Sequence, residues 1–118
     1  MSETATHAKD LPPTVAAFTA ANSRTNPREV SELFTEDAVV VDDGNTYYGR
    51  AGIASWRRGL AQSASYTKTF LSARPAGQTL EVLERVEGDF PGGRVNLLST
   101  FTLDASGLIK SLRIAAVN

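Results

Sequence analysis

The sequence contains no cysteine, and this absence excludes several kinds of chemistry at once. Disulfide bonds, thiolate nucleophiles and zinc sites built on cysteine all need the sulfur that the chain lacks. Histidine is almost as scarce, because the single histidine, His7, lies in a polar N-terminal stretch. A Ser-His-Asp or Cys-His catalytic arrangement and a histidine-rich metal site are therefore not expected. We expect no metal and no other cofactor.

An excess of charge of one sign is also missing. The 12 basic and 13 acidic residues leave a net charge of −1 and form no long block of like charge. Such a balance is not typical of a nucleic-acid-binding protein, whose basic surface neutralises phosphates. The longest basic cluster, Arg57-Arg58, is interpreted as the solvated face of a helix. We expect no nucleic-acid partner.

Long apolar runs are absent as well. No stretch approaches the roughly 20 apolar residues of a membrane-spanning helix, and no basic start leads into an apolar run as in a signal peptide. We therefore expect no membrane partner and a cytoplasmic protein. The length of 118 residues, with 42% hydrophobic residues, is typical of one globular domain. The expected organisation is a flexible tail over residues 1–10 and one domain over residues 11–118.

Three helices are predicted in the first half of the chain. The pair Pro12-Pro13 favours the start of a helix that continues over residues 14–24, since the first helical turn tolerates proline. Asn26-Pro27 begins a second, short helix, in which the asparagine side chain can cap the first turn. A third helix is expected over residues 50–61, with Trp56 and Arg57 on one of its faces.

Short β-branched and alternating runs predict the strands. Residues 38–41 form a buried strand that ends at the turn Asp42-Asp43-Gly44-Asn45, and residues 46–48 extend a hairpin. The second half alternates polar and apolar positions in four longer segments, separated by glycine-containing turns. These segments cover residues 66–73, 79–86, 94–103 and 108–116. Helices followed by long strands predict an α+β fold.

Two passages of the chain follow a known family pattern. The first is LFTEDAVVVD at residues 33–42 with YGRAGI at 48–53, and the second is VEGDFPG at 86–92 with FTLD at 101–104 and GLI at 107–109. With the order of elements, they resemble the SnoaL-like proteins of the nuclear transport factor 2-like superfamily, which includes the ketosteroid isomerases. The resemblance implies a cystatin-like cone, in which three N-terminal helices pack on a strongly curved antiparallel sheet and enclose a pocket.

The resemblance places Asp42 at the position of the catalytic base of the ketosteroid isomerases. In those enzymes an aspartate in an apolar cavity removes a proton next to a carbonyl group. Asp42 also suits a plain turn, because Asp-Asp-Gly-Asn is favourable turn chemistry. Both interpretations stay open, and Asp42 is the first candidate catalytic residue.

The isomerase pattern is incomplete at two other positions. Phe18 stands where the family has a tyrosine on its first helix, and a phenyl ring cannot donate a hydrogen bond. Ser99 stands where the family has a protonated acid, and a hydroxyl group is a weaker donor. Because the loss of oxyanion-hole donors costs orders of magnitude in rate, an authentic ketosteroid isomerase is not expected.

Polar and aromatic residues on otherwise apolar strand and helix faces supply the remaining candidates. Glu84 is either a second catalytic carboxyl group in the pocket or a residue near a sheet edge. Ser99 is either a ligand contact or bonded to nearby backbone, while Tyr48 and Trp56 are either cavity walls or simple core. The predicted ligand-binding residues are Phe18, Tyr48, Trp56, Ser99 and Phe101.

The expected function follows from the implied pocket. We expect a small, largely apolar molecule to bind there, with cofactor-independent acid-base catalysis of the isomerase, cyclase, dehydratase or hydrolase type. The alternative is a non-catalytic ligand-binding or dimerisation module. A homodimer is expected to pair through the sheet. The mixed face that alternation gives to residues 66–74, with Tyr66, Lys68 and Arg74, is predicted to meet solvent or a partner.

Overall fold

A computed structural model of the chain describes residues 11–22, 24–61 and 66–117. The predicted tail, with His7, lies outside these residues. The described part begins with two short helices and a hairpin, continues with a longer helix, and ends with four strands. The bounds are α1 Pro13–Ala20, α2 Pro27–Ser31, β1 Phe34–Asp42, β2 Asn45–Tyr48, α3 Gly49–Ala61, β3 Tyr66–Ala76, β4 Thr79–Gly88, β5 Arg94–Leu103 and β6 Ile109–Val117.

Local chemistry fixes the ends of the two short helices. The Oδ1 atom of Asn26 accepts a hydrogen bond of 2.9 Å from the backbone N–H of Arg28, as predicted for an N-cap. Helix α1 ends earlier than predicted, because Ala21 adopts an extended backbone with φ −69° and ψ 146°. A chain that turns extended at this point cannot continue the helical hydrogen bonds.

The predicted α+β class is confirmed, although the layout differs from the expected one. Only α1 and α2 precede the first strand, since α3 follows the hairpin of β1 and β2, so three N-terminal helices are not confirmed. The six strands are ordered β2-β1-β6-β5-β4-β3. Strands β1 and β6 pair in parallel, so the sheet is not wholly antiparallel. The strong curvature of the sheet is not confirmed.

The hairpin of β1 and β2 turns where the sequence predicts. Asp42 pairs with Asn45, and Asp43 and Gly44 between them have positive φ values of 54° and 79°. Two central residues of positive φ make the turn whose twist matches antiparallel strands, and Asp-Gly suits it. This turn ends β1, and it brings the chain back towards α3.

The core lies between the helices and one face of the sheet. Phe18 of α1 is at its centre, with ring centroids 5.9 Å from Phe34, 6.2 Å from Trp56 and 5.6 Å from Phe101. Burial of such aromatic side chains supplies about 1.5–3 kcal/mol each. No helix in the described ranges is long and apolar enough to cross a membrane.

A bulge in β3 decides which of its residues face the helices. Phe70 pairs with Glu84 but Ser72 pairs with Leu83, so the register shifts by one residue between them. A shift of one residue exchanges the two faces of a strand. Residues 66, 68 and 70 therefore face the helices before the bulge, whereas Ala73, 2% exposed, does so after it. The single mixed face predicted for residues 66–74 is wrong for this reason. The homodimer stays a prediction.

Candidate functional site

A cavity of about 160 Å³ lies between helices α1 and α3 and the sheet. For comparison, an apolar cavity of about 150 Å³ holds a benzene molecule. Apolar side chains, among them those of Phe18 and Ile114, form most of its wall. The polar and charged side chains in the wall are Asp42, Arg57, Tyr66, Lys68, Glu84 and Ser99.

The register of the sheet explains why these side chains meet. Asp42 lies beside Ile114 of β6, and Ile114 pairs with Ser99 of β5. Glu84 pairs with Leu97, which is two residues from Ser99 along β5. Directly opposed residues share a face of the sheet, and so do residues two apart on one strand. All five residues therefore point to the same side, where the helices close the cavity.

Asp42 has one oxygen fixed by the protein. The indole Nε1 of Trp56 donates a hydrogen bond of 2.9 Å to the Oδ2 atom of Asp42. Within the described ranges, the Oδ1 atom accepts no hydrogen bond. Asp42 closes the hairpin turn and also lies in the cavity wall, and its role as a catalytic base stays a prediction.

Glu84 is a buried carboxyl group. Its residue is 6% exposed, and it forms no hydrogen bond or ion pair with any other described residue. Burial raises the pKa of Glu84, and the positive charge of Lys68 opposes this rise. Glu84 can therefore hold a proton at a higher pH than an exposed glutamate does.

Lys68 is the positively charged side chain that acts on Glu84. Its Nζ atom lies 5.9 Å from the centroid of the Phe18 ring. Burial lowers the pKa of Lys68 most, Glu84 raises it, and the neighbouring cation Arg57 lowers it further. Lys68 was not among the predicted site residues, because the bulge that turns it towards the cavity leaves no mark in the alternation of the sequence.

Arg57 corrects the expectation that both arginines of the Arg57-Arg58 pair are solvated. Arg57 is 5% exposed, while Arg58 is exposed. The Nη2 atom of Arg57 donates a hydrogen bond of 3.1 Å to the carbonyl oxygen of Asn22, and its Cζ atom lies 5.6 Å from the Phe18 ring and 5.4 Å from the Trp56 ring. Burial lowers the pKa of Arg57. The guanidinium group still stays charged at neutral pH, because its ordinary pKa is so high.

Tyr48 lies away from the cavity, contrary to the expectation. Its residue is 71% exposed. The hairpin register explains the difference, since Tyr47 pairs with the buried Val40 and Tyr48 pairs with Val39. Tyr47 is therefore the tyrosine that packs against Trp56, with ring centroids 5.9 Å apart.

The other predicted ligand contacts divide into two groups. Phe18, Trp56 and Ser99 lie in the cavity wall, whereas Phe101, 1% exposed, packs behind it against Phe18. The hydroxyl group of Ser99 has no hydrogen-bond partner among residues 11–22, 24–61 and 66–117. The alternative in which Ser99 is bonded to nearby backbone is therefore not what the structure has. The roles of all these residues in ligand binding stay predictions.

Several solved structures are similar to this one, although no protein-family description and no curated protein matches the chain. A protein from Sinorhizobium meliloti with the provisional name polyketide cyclase is 34% identical, with a TM-score of 0.83 over 92% of this chain and 99% of that chain. A protein of ketosteroid isomerase-like fold from Catenulispora acidiphila is 25% identical, with a TM-score of 0.76 over 88% and 85% of the two chains. An epoxide hydrolase/cyclase-like enzyme of pyran ring formation in salinomycin, 22% identical, shares the fold with a TM-score of 0.73 over 89% and 88%.

Proposed function

The chain belongs to the SnoaL-like proteins of the nuclear transport factor 2-like superfamily, and from this we propose that it binds a small, largely apolar carbonyl compound and acts on it by acid-base catalysis. One observation carries the proposal. Two carboxyl groups, Asp42 and Glu84, lie in the wall of one mostly apolar cavity, and their surroundings differ. Two such groups held in different environments can take the separate roles of base and acid.

Asp42 is the base of the proposed reaction. Its carboxylate takes a proton from the carbon next to the carbonyl group of the ligand, and the C–H bonding electrons pass to the carbonyl oxygen as an enolate. The bond from Trp56 holds the carboxylate in one orientation, which favours a reactive position of the second oxygen. The chemistry needs no cofactor.

Arg57 and Ser99 stabilise the enolate oxygen in this proposal. Phe18 stands in place of the family's tyrosine and cannot donate a hydrogen bond. The guanidinium group of Arg57 in the same wall supplies positive charge and N–H donors instead. The hydroxyl group of Ser99, which has no partner within the described ranges, supplies a second donor. Such donors act strongly where water is excluded.

Glu84 is the proton donor. Because its pKa is raised by burial, a larger share of Glu84 is protonated near neutral pH than of an exposed glutamate. In a cyclisation the enolate carbon attacks a second carbonyl of the same molecule, a C–C bond forms, and the new alkoxide takes the proton of Glu84. Solvent then returns the proton from Asp42 to Glu84. The name of the Sinorhizobium relative favours this cyclase type among the possible reactions.

A second candidate function is a non-catalytic binding module. It is favoured by the bond between Trp56 and Asp42, since a carboxylate that closes a turn and anchors a helix has a structural use of its own. In that function the ligand binds, and no proton is exchanged.

Ligand binding is tested with 2-indanone, a compact aromatic ketone, by native mass spectrometry and thermal shift. We expect the wild type to bind it and to melt at a higher temperature in its presence. Ser99→Leu fills the cavity and abolishes the shift. Thr100→Leu is the matched control, because Thr100 is the next residue of β5 and lies on the other face of the sheet. A wild type that does not bind, or equal shifts in both variants, would contradict the proposed cavity.

A further inference from the structure

Lys68 and Glu84 are diagonal neighbours on the cavity face of the sheet. Lys68 pairs with Val86 and Phe70 pairs with Glu84, so the amine and the carboxyl group belong to adjacent strands one position apart on that face. Both side chains lie in the cavity wall. Within the described ranges they form no ion pair with each other, and the amine lies 5.9 Å from the centroid of the Phe18 ring.

An amine in these surroundings differs from an ordinary lysine. Lys68 is half-buried, and a lysine is rarely taken from water even in part because its ammonium group is strongly hydrated. Here burial has the largest effect and lowers the pKa of Lys68, the Glu84 carboxylate opposes this by raising it, and the guanidinium group of Arg57 lowers it further. Desolvation and a neighbouring cation are the two devices that turn a lysine into a nucleophile at neutral pH, since they raise its neutral fraction.

We propose that Lys68 is a nucleophilic amine that forms an imine with small aldehydes or ketones in the cavity, with Glu84 as the proton donor that completes the step. The site is defined by the cavity, by the position of both groups on its wall and by the absence of an ion pair between them within the described ranges. This goes beyond acid-base catalysis by Asp42 and does not depend on it.

The step balances within the groups present. The lone pair of Nζ attacks the carbonyl carbon, a C–N bond forms, and the carbonyl π electrons move to the oxygen. After a proton passes from nitrogen to oxygen, the product is a carbinolamine. Its hydroxyl group takes the proton of Glu84 and leaves as water, and the nitrogen lone pair closes the C=N bond. The iminium ion that results stands beside the Glu84 carboxylate, and hydrolysis reverses the reaction.

The substrate class follows from the wall and from the volume. A cavity of about 160 Å³ with an apolar wall suits an unhindered carbonyl compound with one ring or a short chain. An iminium ion draws electrons from the neighbouring carbon more strongly than a carbonyl group does. Lys68 therefore supplies a covalent way to activate the same class of compound that the cavity accepts.

The test uses benzaldehyde and sodium cyanoborohydride on the wild-type protein at pH 7. The reductant converts an imine into a stable secondary amine, and peptide mass mapping then locates it. The chain has lysines only at positions 9, 68 and 110, so each site is identified separately. We expect labelling of Lys68 to be several-fold faster than labelling of the exposed Lys110, and the preference to shrink towards pH 10, where ordinary lysines also lose their proton.

Two variants and the wild type decide the proposal. Lys68→Met should lose the fast label and Lys110→Met should keep it, with folding of both checked by circular dichroism. If Lys110 reacts as fast as Lys68 in the wild type, or if Lys68 stays unlabelled, the proposal is overturned without recourse to any variant. Benzaldehyde has no hydrogen on the carbon next to its carbonyl group, so this outcome is independent of whether Asp42 acts as a base.

Discussion

The indole nitrogen of Trp56 and the Oδ2 atom of Asp42 lie 2.9 Å apart in a hydrogen bond that joins helix α3 to the end of strand β1. Both residues stand in the wall of the cavity, so this bond fixes part of the site as well as part of the fold. A hydrogen bond to a charged acceptor contributes about 1.5–3 kcal/mol. The bond therefore offers a direct way to separate the structural use of Asp42 from a catalytic one.

The first prediction concerns this bond. Trp56→Phe keeps an aromatic ring but removes the donor, so we expect the free energy of unfolding to fall by about 2 kcal/mol, measured by urea denaturation. In an Asp42→Asn background the acceptor is neutral and the same change should cost less, about 1 kcal/mol. Equal losses in the two backgrounds would mean that the charge of Asp42 adds nothing to the hydrogen bond.

The second prediction is a pH dependence that belongs to Glu84. Its folded-state pKa is raised by burial, so the native state holds this proton more tightly than the unfolded state does. The stabilisation is therefore complete below the ordinary glutamic acid pKa of about 4.3 and is lost as the pH rises through the folded-state value. Glu84→Gln has no carboxyl group to lose this proton. The free energy of unfolding of Glu84→Gln, relative to that of the wild type, should therefore increase from about pH 4 to pH 8.

Urea denaturation of the wild type and Glu84→Gln across that pH range measures the effect. Glu36→Gln is the matched control, because it makes the same change at an exposed strand position. A stability difference between the wild type and Glu84→Gln that stays constant with pH would show that the burial of Glu84 has no energetic cost.

The third prediction compares adjacent arginines. Arg57→Met keeps a flexible apolar side chain against Phe18 but removes the buried cation from the cavity wall. If Arg57 stabilises the enolate oxygen, kcat/KM for proton exchange of 2-indanone should fall by about 100-fold. Arg58→Met, at the exposed neighbouring position, should leave it unchanged. An equal effect of the two changes would rule out a specific role for Arg57.

The fourth prediction compares adjacent tyrosines. Tyr47→Ala removes the ring that packs against Trp56 and should lower the free energy of unfolding by about 2–3 kcal/mol. Tyr48→Ala acts on a side chain that is 71% exposed and should change it by less than about 0.5 kcal/mol. Thermal and urea unfolding measure both. A larger loss from Tyr48→Ala would contradict the register of the hairpin.

Features set by a few neighbouring residues are predictable from the sequence. The Asn26 cap and the Asp42–Asn45 turn are examples, since each depends on the chemistry of adjacent positions. The period-two alternation also predicts correctly that Glu84 and Ser99 point to the apolar side of their strands. These signals are local, and they account for most of the element order.

Features set by register are not predictable in the same way. The bulge after Phe70 exchanges the faces of β3, and no residue type marks its position, so the place of Lys68 in the cavity wall is visible only in the structure. The same limit explains why Tyr47, and not the predicted Tyr48, packs against Trp56, because strand pairing decides which of two adjacent side chains faces the core. Helix α3 differs from the strands, because helical spacing alone places Arg57 on the face of Trp56 while Arg58, about 100° away, meets water.

The central claim is that Asp42 removes a proton from a carbonyl ligand in the cavity. The most direct measurement is the exchange of the hydrogens beside the carbonyl group of 2-indanone for deuterium in D₂O, followed by NMR. Asp42→Asn keeps an oxygen that accepts the Trp56 hydrogen bond, so folding should persist while the base is lost. We predict exchange faster than in buffer alone with the wild type, and exchange at the buffer rate with Asp42→Asn. Equal rates for the two folded proteins would contradict the claim, and no exchange by a wild type that binds the ketone would favour the binding module.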